Sequence, residues 1–194
     1  MKIHIIATVY NRSTPIKRLI YDILCQTNPN WTLHVIQDGM EFKETQKFIK
    51  ALRDPRVTFT ATKKVNGHYG FPNRDMMLKK IKGEPSDFVL HTNDDNQYVP
   101  VFVDMFLRNC NDKTGFICCN AIHNGFGYEV LDTGIKVGHI DMGSFIVRLD
   151  VARAIGFSQV VEVADGIYAE ECAAECWKRG LDRKKISKPL FVHN

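Results

Sequence analysis

The sequence predicts an α/β fold with three layers, in which helices cover both faces of a mixed, mostly parallel central sheet. Three observations predict it: strands and helices alternate through the first half, each early strand ends in a polar cluster, and no repeat or linker interrupts the pattern. Residues 2–9 form an apolar run of strand length. Ser13-Thr14-Pro15 then joins a capping residue to a first-turn proline, and Ile16, Leu19, Ile20, Ile23 and Leu24 recur at helical spacing. Residues 31–37 read as a second strand ending at Asp38-Gly39, and Phe42, Thr45, Phe48, Ile49 and Leu52 form the inner stripe of a second helix. A third strand is expected over 56–61. A polar loop through His68 then leads to Pro72 and a helix carrying Met76, Met77, Lys80 and Ile81, with Gly83 as its stop. The fourth strand, 88–92, runs into His91-Thr92-Asn93-Asp94-Asp95-Asn96.

The second half is less regular. Strands are expected over 116–120, 143–148 and 188–193, and residues 128–137 read as a hairpin turning at Asp132-Thr133-Gly134. Residues 165–179 read as a helix with Tyr168, Cys172 and Cys176 on one face and Gly180 as its stop. In a sheet of this kind the ligand site lies at the carboxyl ends of the strands, and residues 8–12, Asp38 and residues 93–96 all fall there.

With 194 residues, 44% of them hydrophobic and 25% charged, the chain can bury the core of one domain spanning 1–194. A resemblance in its motifs to a known family implies that its two halves, 1–96 and 97–194, would serve a nucleotide and an acceptor respectively. A formal net charge of +4 suits an anionic ligand such as a diphosphate and falls short of a nucleic-acid-binding signature. The six cysteines show no spacing of a zinc ribbon or disulfide framework, so Cys172 and Cys176 are expected as packing residues. The apolar run at the N-terminus is too short for a signal or membrane span, and the protein is expected in the cytoplasm.

Asp94 and Asp95 are adjacent carboxylates at the end of an apolar strand, and burying either calls for a counter-charge. A hard divalent ion completed by substrate phosphates would supply it; a turn that caps the helix after Pro100 is the alternative.

The order of motifs decides between these. The opening Ala7-Thr8-Val9-Tyr10-Asn11-Arg12, the Gln26-Thr27 segment, the strand-end Asp38-Gly39 and the acidic loop followed by Tyr98 and Pro100 resemble glycosyltransferase family 2, the inverting GT-A type. The acidic loop is especially similar to the branch that builds bacterial spore-coat polysaccharide. Residues 139–157 and 163–180 are similar to the family's acceptor-side segment and acid-bearing helix.

The resemblance implies a polysaccharide-building transferase using a nucleotide-sugar donor, UDP-linked, with Mn²⁺ or Mg²⁺ and a glycan or other hydroxyl acceptor. Thr8, Tyr10 and Arg12 would line the nucleotide pocket and Asp38 would hold the uracil edge. Asp94 would contact the ribose or sugar, and Asp95 would ligate the metal, joined by His193. His68 and Arg74 would touch phosphate or sugar, the planar fork of an arginine suiting phosphate. Asp165 would be the catalytic base. The acid that usually precedes the base is replaced by Ala164, which keeps Asp141, Glu162 and Glu170 open for that role, and Thr92 stands where many relatives carry an acid. Relatives usually continue into helices that shape the acceptor site, so acceptor recognition would rest on a partner subunit, a second copy or an open cleft. A non-catalytic nucleotide-sugar-binding or assembly subunit is the rival reading. A nucleotidyltransferase would want a glycine-rich phosphate loop after the first strand, and residues 8–13 contain no glycine.

Overall fold

The first strand shows why the chain layers as it does. Along β1 (Ile3–Val9) the residues Ile3, Ile5, Ala7 and Val9 face one apolar cluster while Ile6 faces another, because successive side chains of a strand point to opposite faces. The computed structural model describes residues 1–40, 43–157 and 160–194. Among them nine strands form one sheet, in the order 57–61, 31–37, 3–9, 88–93, 145–148, 114–123, 182–193 and 97–98, with 129–131 paired to 114–123.

The first half follows the expected rhythm. β1, α1 (Ser13–Leu24), β2 (Trp31–Gln37), α2 (Lys43–Leu52), β3 (Val57–Ala61), α3 (Phe71–Lys80) and β4 (Phe88–Asn93) alternate, and all pairings among these four strands are parallel. Phe42, expected in the stripe of α2, lies outside the described residues. The helix α3 ends where Ile81 turns extended, at ψ 132°, and Gly83 is not its stop. A Cβ at Gly83 would stand 2.4 Å from His4 Nε2, so the glycine answers to close packing.

Beyond β4 the sheet turns mixed. It continues through β5 (Gln97–Tyr98), α4 (Phe102–Arg108), β6 (Thr114–His123), β7 (Glu129–Leu131), β8 (Phe145–Arg148), α5 (Leu149–Ile155), α6 (Ala164–Lys178) and β9 (Asp182–His193). The hairpin expected over 128–137 is replaced by one between β6 and β7, with Ile122 facing Val130. Its turn uses the left-handed backbone of Gly127 and Tyr128, whereas Thr133 is buried and donates its N–H to Asn120 Oδ1 at 3.2 Å. The last strand starts at Asp182 and not at 188, because the parallel edge of β6 takes up the charged stretch Arg183–Lys185 as its partner. The helix α5 was not expected from the sequence.

The layers separate cleanly. One core packs α1, α2 and α4 against the sheet through Leu19, Ile23, Ile49 and Phe102; the other packs α3, α5 and α6 through Leu78, Ala152, Tyr168 and Cys172. Cys172 and Cys176 are buried, unpaired packing residues, and burial pushes both thiols up. No helix among the described residues is long and apolar enough to cross a membrane.

Candidate active site

The parallel strands β1, β2 and β4 end side by side, Val9 beside Gln37 and Thr8 beside Asn93, so the residues that follow them must share one edge of the sheet. A cavity of about 640 Å³ opens there, a volume suited to a nucleotide-sized ligand. Its wall brings together Thr8, Tyr10, Arg12, Asp38, Asp94 and Asp95 from the first half with Asp141, Glu162, Asp165 and His193 from the second.

Arg12 donates to Asp95 Oδ2 at 2.8 Å and stands 3.5 Å from Asp94 Oδ1. The pair with Asp95 raises the guanidinium pKa. Asp94 is buried, and that burial lifts its carboxyl to about 6 against the pull of Arg12.

Asp38 is committed to its own chain. Oδ1 accepts from Asn66 N–H at 2.8 Å and Thr62 Oγ1 at 3.2 Å, and Oδ2 accepts from Gly67 N–H at 2.8 Å. Burial opposes the charge, but these donors together with Asn73 hold the carboxyl below its ordinary range. Asp38 thus fixes the loop from Thr62 to Gly67 as well as lining the cavity.

The structure does not bring His68 or Arg74 to the cavity wall. His68 is exposed with a left-handed backbone, φ 51°, and its neighbour Tyr69 lines the wall instead. Arg74 is 0% exposed and donates to Tyr69 O, Thr92 O and Asn93 Oδ1 at 2.6–2.9 Å. The expected phosphate contact is therefore replaced by a different job: a cation buried within the field of Asp141, Asp94 and Asp165 that also ties the 68–70 turn to β4. Burial lowers its pKa to about 10, which leaves it charged at neutral pH.

On the other half, Asp165 sits in the first turn of α6 and accepts Gly166 N–H at 2.7 Å. Burial first, and then the nearby Asp141, raises it to about 6. Asp141 is buried too, its pKa raised by burial, and accepts Gly143 N–H at 2.7 Å. Glu162 lines the cavity, whereas Glu170 lies off it and accepts Val137 N–H at 2.9 Å. His193 Nε2 stands 3.4 Å from Asp141 Oδ2, and burial lowers the imidazole pKa. Sequence reasoning missed His123, whose ring stacks on His193 with centroids 4.2 Å apart. No local motif marks it; only the parallel register of β6 and β9 makes the two neighbours. Asn93, Met142 and the glycines Gly67 and Gly70 also line the wall.

Comparison with known proteins bears on what this edge is for. The colanic acid biosynthesis glycosyl transferase WcaA, as that Escherichia coli (strain K12) protein is named, is 26% identical over 108 residues, covering 55% of this chain and 37% of its own. Staphylococcus aureus TarS, residues 1–349, superposes over 100% of this chain and 60% of its own with a TM-score of 0.79 at 17% identity, and a complex of the same segment with UDP-GlcNAc gives 0.78. The mannosyltransferase PcManGT of Pyrobaculum calidifontis, solved with GDP-Man and Mn²⁺, gives 0.74 at 14% identity, over 99% of this chain and 56% of its own. The chain thus spans about 60% or less of these relatives' length, and the solved structures share its GT-A fold. The spore-coat branch has no counterpart among these relatives. The family model of glycosyl transferase family 2 matches residues 4–135, more than half of the chain, and the protein belongs to that family.

Proposed function

We propose that the chain is an inverting, metal-dependent glycosyltransferase that moves a sugar from a nucleoside diphosphate donor, a UDP-sugar, to a hydroxyl of a glycan acceptor. One observation carries this reading: a single cavity joins the Arg12-Asp94-Asp95 cluster at the parallel strand ends to Asp165, a carboxyl raised to about 6. The complexes of TarS with UDP-GlcNAc and of PcManGT with GDP-Man and Mn²⁺ support it, since proteins of this fold hold such donors.

Tyr10 is half exposed at the cavity and offers a ring for the base. Asp38 would meet the imide N–H of uracil at the same cavity, in exchange for one of the donors it now holds. Asp94 would take a ribose or sugar hydroxyl. The adjacent carboxylates of the β4 loop are hard oxygen donors that fit Mn²⁺ or Mg²⁺, with Asp95 as the residue to hold it. Bound there with the diphosphate, such an ion supplies charge neutralisation for the leaving group. Arg12 would donate to the same phosphates, since a guanidinium fork offers two parallel hydrogen bonds to such a group. Asp165 accepts the proton of the acceptor hydroxyl as it attacks; its raised pKa brings it closer to the operating pH at which a base works best.

Calorimetry with UDP and Mn²⁺, followed by single-turnover transfer from UDP-sugars to a panel of glycans, tests the reading. Binding that needs Asp95, and transfer that needs Asp165, are expected. Tight UDP binding with no transfer to any acceptor would favour a binding subunit, and no binding of any nucleotide sugar would overturn the reading.

A further inference from the structure

We propose that the outer edge of β3, with the groove between it and α2, takes up the C-terminal end of a partner polypeptide as an added strand whose free carboxylate is held by Lys50 and Arg53. This goes beyond the transferase reading and does not rest on it.

The main chain of β3 is open on one side. β3 stands last in the sheet and pairs in parallel with β2. Arg56 O accepts Leu33 N–H at 2.8 Å and Thr62 N–H donates to Gln37 O at 3.0 Å, so Thr58 and Thr60, which share their alternation, also face β2. Phe59 and Ala61 therefore turn their N–H and C=O outward, where no strand among the described residues meets them. An extended peptide laid along that side bonds to both residues, as sheet edges do when they recruit a strand.

Side chains of such a strand have a place to go. A cavity of about 440 Å³ lies between α2 and β3, with Ile49 from the helix and Val57 and Phe59 from the strand as its apolar lining. Val57 and Phe59 share a face because alternate residues of a strand do, so every second side chain of the added strand enters the same groove. An apolar residue fits it. Arg53, Asp54 and Pro55, in the link from α2 to β3, wall its far end.

Charge sets the direction of the peptide and the group at its end. Lys50 and Arg53 are exposed on this wall, and among the described residues neither side chain has an ion pair or hydrogen bond. The neighbouring acid is already neutralised, since Asp54 accepts Arg56 Nε at 3.1 Å and Nη2 at 2.7 Å. An antiparallel strand brings its C-terminal end to these two cations, whereas a parallel one would press an amine against them. Because the link crosses the end of the groove, a chain that reaches it stops there, which favours a terminal carboxylate over an acidic side chain in passing. Arg53 itself has φ 52°, a left-handed backbone that is uncommon for a residue with a Cβ and is retained here beside the cavity.

The test is fluorescence polarisation of the intact chain with labelled Ser/Thr hexapeptides ending in Val, Leu, Ile or Phe, each made with a free C-terminal carboxylate and with a C-terminal amide. Saturable binding of a free-carboxylate peptide is expected, and its amide should bind about tenfold or more weakly, the effect of losing a hydrogen bond to a charged group. An amidated peptide whose only acid is a Glu side chain should do no better than the other amides. On binding, the backbone N–H signals of Phe59 and Ala61 should shift and exchange more slowly, while those of Tyr10 and Asp95 stay put. Lys50→Glu should weaken the complex roughly 10- to 100-fold. Arg53→Gly should do the same while melting within a few degrees of the parent, because glycine accepts the left-handed backbone, and that separates a lost contact from a lost fold. Amides that bind as tightly as the free acids, affinity unchanged in both variants, shifts that miss Phe59 and Ala61, or no binding up to millimolar peptide overturns the proposal.

Discussion

Arg12 holds both carboxylates of the acidic loop, donating to Asp95 at 2.8 Å and standing 3.5 Å from Asp94, from a side chain that is 48% exposed. A half-exposed pair of this kind contributes only about 0.2–1 kcal/mol to stability, whereas a hydrogen bond to a charged group contributes about 1.5–3 kcal/mol. Arg12→Met should therefore leave the melting temperature within a few degrees while weakening UDP-sugar affinity by roughly 10- to 100-fold. Calorimetry beside thermal melting checks this, and a lower melting temperature with unchanged affinity would make Arg12 a structural residue.

Asp38 should behave in the reverse order. Its carboxylate gathers Thr62, Asn66 and Gly67, and removing it strands two backbone N–H groups near the cavity. Asp38→Ala is expected to cost about 1–3 kcal/mol, or roughly 2–12 °C for a chain of this size, before any nucleotide is added. The sign with pH follows from the lowered pKa. The stabilisation is present above the ordinary value of 3.8 and is lost as pH falls through the folded value, so the variant's deficit should be largest near neutrality and shrink in acid. Melting curves across pH 3–8 would reveal a flat difference if Asp38 served only the nucleotide.

What could be read in advance follows from which signals are local. Apolar runs at Ile3–Val9 and Phe88–Asn93 are local, and because parallel strands end on one edge, Tyr10, Asp38 and Asp94 could be placed together before any coordinates. Arg74 could not. An arginine in the first turn of a helix reads as solvated or as a phosphate ligand, and its three acceptors are delivered by β4 and by the turn before α3. Arg183, Lys184 and Lys185 hid the start of β9, since charged side chains on an edge look like a solvated loop. The nearness of His123 to His193 depends on the register of two paired strands far apart in sequence, which no short motif encodes.

Asp165 should govern the acid side of the rate profile. A base with pKa about 6 gives kcat/KM that rises with pH and levels above that value. Asp165→Asn should lower kcat by about 10² to 10⁴-fold and keep donor affinity. The same shift affects stability. A raised folded pKa means stability that is full below 3.8 and is lost as pH rises through about 6. That difference corresponds to at most about 3 kcal/mol, and partial exposure halves it, so Asp165→Asn should be about 1–2 kcal/mol more stable than the parent at pH 8 and equal to it at pH 4. Full turnover by the variant would move the base to another carboxylate.

Two glycines beside the cavity separate backbone strain from crowding. Gly67 and Gly70 both have positive φ, 68° and 77°, but a Cβ at Gly67 meets nothing within 4 Å, whereas one at Gly70 would stand 2.7 Å from Thr8 Oγ1, 2.9 Å from Thr8 Cβ and 3.0 Å from Arg74 Nη1. Gly67→Ala should therefore cost only backbone strain, about 1–3 kcal/mol for its φ 68°, ψ −145°. Gly70→Ala adds overpacking of about 1–3 kcal/mol, because its neighbours are a strand-end side chain and a guanidinium fixed by three acceptors. The push on Thr8 should also raise KM for the donor, since Thr8 lines the same wall. Urea titrations and donor KM for both variants decide the matter: equal losses in the two would show that Thr8 and Arg74 give way, and that the 68–70 turn is not held as rigidly as its hydrogen bonds imply.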